Sequence, residues 1–270
     1  MTGAGRGGAA PVGAGFENYL AASPPDDGRL RLFCFHHAGG GATAYASWQR
    51  ELGPDVVVLP VQLPGRETRA REPRITDMAE LTGVLNRVLG PALRAPFAFY
   101  GHSMGGAVAY NLTLARQRRG ERLPERLLVG ACPAPHLPAV LASTEAMSDE
   151  EMARVLVRIG GMSEMMLRYP DWLTAATDQV RDDLRVCTGY DRTELPPLAC
   201  PVEVFSGVDD PLLPAGDAAA WESHALAGFR LHRVPGGHFF FRESPESPEA
   251  PEEFFRALRG AVARMATVAR

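Results

Sequence analysis

The segment Gly101-His102-Ser103-Met104-Gly105 constrains the fold of this 270-residue chain more than any other. It follows the apolar run Phe97–Tyr100, which predicts a buried strand, and it precedes a stretch that favours a helix. Gly-x-Ser-x-Gly in that setting is typical of a nucleophile elbow, a sharp turn that lifts the serine to the top of a sheet. A side chain at either outer glycine would clash with the turn. We therefore predict that Ser103 is a nucleophile.

A nucleophilic serine needs a base and an acid, and both are predicted downstream. A strand over 202–206 is followed by Asp209 and Asp210, and a strand over 229–234 is followed by His238. The carboxyl ends of parallel strands meet at one edge of a sheet, where ligands bind. Serine, acid and histidine in this order are typical of α/β-hydrolases. We predict His238 as the general base and Asp210, held extended by the proline after it, as the acid; spacing alone leaves Asp209 open.

The third requirement is a pair of N–H groups that bind the oxyanion. One donor is predicted to be the backbone N–H of Met104, directly after the nucleophile, and the other lies in the loop after an early strand. The strand over about 30–36 is followed by the glycine-rich segment His36–Gly41, where Ala38 is the candidate donor. This loop lacks the Gly-Lys-Ser/Thr of a phosphate-binding loop. Its histidines have no third ligand at metal-binding spacing, so no metal site is predicted.

Strands and helices alternate along most of the chain, which predicts a mostly parallel sheet with helices on both faces. The predicted strands lie at about 30–36, 55–61, 97–101, 127–131, 202–206 and 229–234, and the helices at 44–52, 76–94, 104–119 and 252–266. The interval 137–196 contains helical patterns without a convincing strand. A capping box at Ser148 begins one helix there, and a second is predicted over about 171–190.

We interpret this interval as a helical lid over Ser103, inserted into one α/β-hydrolase domain that spans residues 1–270. The Gly/Ala-rich residues 1–15 are expected to be disordered, and they lack the apolar core of a signal peptide. No apolar run approaches the length of a membrane span, so we expect a cytoplasmic protein. Its net charge of −4 gives no indication of nucleic-acid binding. The four cysteines lack metal or redox spacing, and buried free thiols are expected.

Four segments together resemble type II thioesterases, stand-alone α/β-hydrolases that serve polyketide and non-ribosomal peptide synthases. The segments are FHHAGG, QLPGRE, GHSMGG and PGGHFF, at 35–40, 62–67, 101–106 and 235–240. The resemblance extends from about Leu32 to Leu258. In that family the acid lies in a Gly-x-x-Asp-Pro stretch, which implies Asp210. The family also carries a helical lid at the corresponding place.

The resemblance implies a serine thioesterase that hydrolyses acyl groups from the phosphopantetheine arm of acyl carrier proteins, with editing of misprimed or stalled carriers as its role. Ser103, His238 and Asp210 would carry the reaction without a cofactor. A general carboxylesterase, or a cyclase that passes the acyl group to an internal nucleophile, would use the same residues. A binding protein that shelters an acyl chain is disfavoured, because it would have little reason to keep the triad. Acyl length, pathway and oligomeric state are left open.

Two further clusters each have a functional and a structural interpretation. A carrier protein is usually acidic, so Arg66, Arg69, Arg71 and Arg74 could form its docking patch, or could be an ordinary solvated loop. Methionine side chains adapt to varied acyl shapes. The group Met162, Met165, Met166 and Leu167 could therefore line an acyl chamber, or could only pack the lid onto the body.

Overall fold

The computed structural model describes residues 19–20, 23–138, 147–193 and 195–268. Its strands are β1 (Leu30–Phe35), β2 (Val56–Pro60), β3 (Phe97–His102), β4 (Leu127–Gly130), β5 (Val202–Gly207) and β6 (Phe229–Val234). They form one sheet in the order β2-β1-β3-β4-β5-β6, and every neighbouring pair is parallel. All six strands lie where the sequence predicts them.

Helices cover both faces of this sheet. They are α1 (Trp48–Leu52), α2 (Met78–Leu89), α3 (Met104–Arg118), α4 (Asp149–Arg158), α5 (Pro170–Thr188), α6 (Ala215–Ala219) and α7 (Ala250–Val268). Successive strand side chains point to opposite faces. Phe33 and Phe99 therefore enter the core with α2 and α3, whereas Cys34 and Tyr100 enter the core with α1 and α7.

Helices α4 and α5 lie between β4 and β5, in the interval where the sequence predicts helices and no strand. The Ser148 side chain accepts the backbone N–H of Glu151, whose carboxylate in turn accepts the N–H of Ser148, so the capping box is present. Leu156 of α4 packs with Val180 and Leu184 of α5 in a small core of their own. Residues 139–146 and 194 of the predicted lid interval lie outside the described residues, as do residues 1–15.

The state of the cysteines agrees with the sequence prediction. Cys34, Cys132, Cys187 and Cys200 are buried free thiols. Of the helices that the structure describes, none combines the length and the apolar character needed to cross a bilayer.

Neither interpretation of the four arginines, a docking patch or a solvated loop, fits Arg66 and Arg69. Arg66 and Arg69 are buried, because both guanidinium groups serve internal contacts. Arg69 binds the carboxylate of Glu72 and stacks on the ring of Tyr19 at 3.8 Å. Arg74 is half-buried and pairs with Asp182 of α5. Of the four side chains, only that of Arg71 is exposed.

The elbow glycine Gly105 offers a test of this packing. A Cβ at this position would overlap the backbone carbonyl of Phe35 in β1, and a backbone atom cannot swing aside. We expect Gly105→Ala to lower the free energy of unfolding by about 1–3 kcal/mol. A Cβ placed at Gly83, within α2, would meet no atom within 4 Å, so Gly83→Ala should instead raise stability by about 0.5–1 kcal/mol. Urea denaturation of both variants measures this contrast, and equal effects would contradict the packing account.

Candidate active site

Ser103 occupies the turn between β3 and α3. Its backbone has φ 54° and ψ −117°, a region that non-glycine residues rarely adopt, and its N–H donates to the carbonyl of Gly130 at 2.8 Å. A Cβ at Gly101 would overlap the carbonyl of Gly105, so the turn closes only with glycine there. Strained backbone of this kind is concentrated at functional sites. The half-buried Ser103 side chain is thereby presented at the carboxyl edge of the sheet.

His238 and Asp210 form a buried hydrogen-bonded pair at the same edge. The Nδ1–H of His238 donates to Oδ2 of Asp210 at 2.9 Å, and both side chains are almost fully buried. The other oxygen of Asp210 accepts the N–H of Leu212 at 2.8 Å, which orients the carboxylate. Asp209 is exposed. The structure thus pairs His238 with Asp210, which the sequence favoured over its neighbour.

His102, the second residue of the elbow, holds the backbone of His238. Its Nε2–H donates to the carbonyl oxygen of His238 at 2.9 Å, and its Nδ1 accepts from the hydroxyl of Tyr100 at 3.2 Å. Burial, with His238 nearby, holds the pKa of His102 well below its usual range. A neutral ring with one donor and one acceptor matches both partners. His102 therefore has a specific structural role: it links the elbow to the loop after β6.

The two candidate oxyanion donors border the cavity that Ser103 and His238 also line. Met104 is the first residue of α3, and the first N–H groups of a helix have no partner within the helix. The positive end of the helix dipole lies at the same point. Ala38 lies in the loop after β1 and lines the same cavity. The structure therefore brings together all five residues that the sequence singled out.

Apolar side chains form most of the remaining cavity wall. The lining includes Leu184 and Cys187 of α5, Cys132 after β4 and Leu212 after β5, with Tyr190 and Arg192 at one side. The predicted group at 162–167 is not among these lining residues, within the described part of the chain. Met165 is 63% exposed, and Met162 packs against the small core between α4 and α5. The packing interpretation of this group is the better one.

The remaining histidines are engaged elsewhere. His232 pairs with the buried Glu203 at 2.7 Å, and His224 stacks on His136 with 2.8 Å between ring nitrogens. His36 and His37, the first residues of the loop that carries Ala38, are both buried. Across the described ranges, no cluster of histidine, cysteine and acidic side chains is arranged to hold a metal ion.

The family of this chain follows from comparison with known proteins. A model of the thioesterase domain matches residues 30–259. The chain belongs to the thioesterase domain family. The gramicidin S biosynthesis protein GrsT of Aneurinibacillus migulanus is 31% identical over 216 residues, which cover 80% of this chain and 84% of GrsT.

Solved structures agree with this membership. The RedJ thioesterase of the prodiginine biosynthetic pathway in Streptomyces coelicolor is 34% identical, with a TM-score of 0.80, and the match covers 93% of this thioesterase and 96% of RedJ. The type II thioesterase BorB from the borrelidin biosynthetic cluster is 32% identical, with a TM-score of 0.77, and the match covers 94% and 98% of the two chains. The predicted resemblance and the α/β-hydrolase fold are confirmed.

Because His36 is buried, we expect the stability of this thioesterase to depend on pH. Burial, reinforced by the nearby Arg66 cation, lowers the pKa of His36 to about 4 from 6.5. The unfolded chain therefore binds a proton below about pH 6.5 that the folded chain excludes, and stability must fall as the pH falls. We expect His36 alone to account for a loss of about 2 kcal/mol between roughly pH 7.5 and pH 5.

Urea denaturation across that pH range measures this loss. The Nδ1–H of His36 donates to the carbonyl of His37 at 2.9 Å. An asparagine amide can make the same bond without titrating, so His36→Asn is the matched control. A pH dependence in His36→Asn as steep as in the wild type would rule out His36 as its source.

Proposed function

We propose that this thioesterase hydrolyses acyl groups from the phosphopantetheine arm of acyl carrier proteins in a polyketide or non-ribosomal peptide synthase. The observation that carries the proposal is the convergence of the strained Ser103 turn and the buried Asp210–His238 pair on one mostly apolar cavity. Such a cavity suits the acyl chain, and the polar groups at its end suit the thioester. Relatives whose names place them in these pathways supply the substrate class.

Acylation is the first half of the proposed reaction. The Oγ of Ser103 attacks the thioester carbonyl carbon while Nε2 of His238 takes the hydroxyl proton. The N–H groups of Met104 and Ala38 hold the oxyanion, and each such donor is typically worth about 3–4 kcal/mol in the transition state. The tetrahedral intermediate then collapses with cleavage of the C–S bond. His238 returns the proton to the departing pantetheine thiol, and an acyl ester of Ser103 remains.

Deacylation reverses these roles. His238 takes a proton from a water molecule as the water oxygen attacks the acyl ester. The C–O bond to Ser103 breaks, the proton passes from His238 to the serine oxygen, and a carboxylic acid is released. Throughout, Asp210 accepts the Nδ1–H of His238, holds the ring in one tautomer and stabilises its charged form. The proposed reaction uses side chains, backbone N–H groups and water alone.

In this proposal the chain is one α/β-hydrolase domain, and the helical insertion is its lid. Leu184 and Cys187 of α5 help to wall the cavity, so the insertion shields the acyl-enzyme from bulk water. The biological role that we propose is editing, in which acyl groups that block a carrier are removed. We place this reaction in the cytoplasm, where such synthases act on carrier-bound intermediates.

Deacylation of loaded carriers tests this proposal directly. A carrier protein is loaded with acetyl, propionyl and longer acyl groups, and the loss of each group is followed by intact mass, with Ser103→Ala as control. We expect release of short acyl groups by the wild type and none above background in Ser103→Ala. Turnover of simple oxygen esters with no release from any carrier would instead indicate a general carboxylesterase. Release of a lactone from a carrier loaded with a hydroxyacyl group would indicate an acyl-transferring cyclase.

The adjacent aspartates provide a matched test of the acid. Removing the Asp210 charge leaves His238 free to adopt the wrong tautomer, so Asp210→Asn should lower kcat roughly 10⁴-fold. Asp209 is exposed, and Asp209→Asn should keep kcat within about threefold of the wild type, the range of ordinary surface substitutions. Steady-state kinetics on a small acyl thioester measure both values. A large loss in Asp209→Asn with an active Asp210→Asn would reverse the assignment.

A further inference from the structure

We propose that Asp183 of α5, together with Arg66, positions the loop that carries the Ala38 N–H, so that the oxyanion hole is assembled only when α5 is packed on the body of the enzyme. This inference rests on the proposed function, because it concerns the donor that the proposed reaction uses. It assigns a positioning role to a lid residue and to an arginine of the QLPGRE segment. Neither side chain lines the cavity beside Ser103.

Arg66 and Asp183 form a bidentate ion pair in the protein interior. Both guanidinium nitrogens Nη1 and Nη2 lie 2.7 Å from the two carboxylate oxygens, and the side chains are only 4% and 3% exposed. The residues are 117 positions apart in sequence. The pair therefore joins the insertion to the segment after β2 with a fixed geometry, since paired parallel hydrogen bonds define orientation as well as distance.

Both members of the pair also bind the backbone of the loop. Oδ2 of Asp183 accepts the N–H of Gly39 at 2.8 Å, and Nη1 of Arg66 donates to the carbonyl of Gly40 at 3.2 Å. From the preceding turn of α5, the amide of Gln179 donates to the carbonyl of Gly39 at 3.1 Å. The N–H and carbonyl of Gly39 and the carbonyl of Gly40 are thus held by α5 or by its partner Arg66.

These contacts set the direction of the candidate donor. Because a peptide unit is planar and trans, the N–H of Ala38 points opposite to the carbonyl of His37. That carbonyl accepts the N–H of Gly40 at 3.0 Å, which closes a tight turn around Gly39 with φ +77°. The Gly39 and Gly40 positions that close this turn are those held by Asp183 and Arg66. A displacement of α5 would release the turn and let the Ala38 N–H rotate away from the cavity.

The far end of the loop is held independently of α5. The carboxylate of Glu67 accepts the N–H groups of Ala42 and Thr43, each at 3.1 Å. A Cβ at Gly41 would overlap that carboxylate, so the loop and Glu67 are in close contact. Only the stretch from Ala38 to Gly40 therefore depends on the insertion. Val180 of α5 lies directly against it, 2.7 Å from a Cβ built on Gly39.

A buried ion pair is weak evidence for a purely stabilising role, because apolar residues of similar volume often replace such a pair without loss of stability. A variant that lacks both charges can therefore stay folded, and its kinetics then report on positioning of the loop rather than on a loss of stability. In Arg66→Met/Asp183→Leu the buried charges are removed together, while the acceptor for the Gly39 N–H is lost. Asp183→Asn is the smaller change, and it leaves the Arg66 cation without its counter-charge.

Asp182 supplies the matched control. It neighbours Asp183 on α5 and also forms an ion pair with the segment after β2, through Nε of Arg74 at 2.6 Å. Its carboxylate binds Arg74 and Arg185 rather than the loop at 38–40. Asp182→Asn thus removes an ion pair between α5 and the body without touching the candidate oxyanion loop. Because this pair is partly exposed, its loss should cost only about 0–1 kcal/mol and leave α5 in place.

The experiment compares wild type, Asp182→Asn, Asp183→Asn and Arg66→Met/Asp183→Leu on an acyl thioester of N-acetylcysteamine. Loss of an oxyanion donor lowers kcat by roughly 10²-fold or more. We expect such a loss in both Asp183 variants, with KM changed less than about threefold because the acyl cavity is unaltered. Asp182→Asn should keep both constants near the wild-type values. Hydrogen exchange should show lost protection at 38–40 in the Asp183 variants only.

Thermal unfolding of each variant shows whether it folds. If Asp183→Asn does not fold, the kinetics of the folded double variant Arg66→Met/Asp183→Leu test the positioning role. A folded Arg66→Met/Asp183→Leu with wild-type kcat would overturn the positioning role, as would an equal loss of kcat in Asp182→Asn. Labelling of wild-type Ser103 by a fluorophosphonate separates this failure from failure of the proposed function. An unlabelled wild type would defeat the proposed function itself, whereas a labelled wild type with an unaffected double variant would defeat only the role of the ion pair.

Discussion

Backbone packing around the Ser103 turn is the constraint on which the rest of the structure depends. Helix α3 begins so close to β1 that a side chain at Gly105 would overlap the carbonyl of Phe35, and one at Gly101 would overlap the carbonyl of Gly105. This fit forces Ser103 into a strained conformation, which the buried strands on either side maintain. It also sets the first N–H groups of α3 beside Ser103, so the proposed nucleophile and the proposed oxyanion donor at Met104 belong to a single feature of the fold.

Around this rigid centre, polar contacts connect segments that are distant in sequence. His102 ties the elbow to the backbone of His238, and Asp210 fixes the ring of His238 from a neighbouring strand end. The loop at Ala38 depends on charged side chains from two other segments, Arg66 and Asp183. Side-chain hydrogen bonds are directional, whereas apolar packing is not. The sheet therefore brings the groups near one another, and the polar contacts orient them.

Much of the fold and of the candidate site could be predicted from local patterns. The strand–turn–helix pattern around the elbow indicates Ser103. Asp210 and His238 are indicated by their places in loops that follow strands, because parallel strands present their ends at one edge of the sheet. The capping box at Ser148 is a local signal as well. The sequence did not predict which charged side chains are buried. From the sequence Arg66 is expected to be an exposed cation. In the structure it is buried in an ion pair with Asp183, which lies 117 residues away along the chain.

The amino-acid sequence by itself determined the class of fold, the nucleophile turn and the family, because these depend on periodicity and on residues that are adjacent along the chain. Only the tertiary structure decided which charged groups are buried together and which side chains wall the cavity. The physical reason is that hydrogen bonds and ion pairs require contact in space. Burial in this fold comes from elements far apart in sequence, such as α5 against the loop after β1, and no local pattern records that contact.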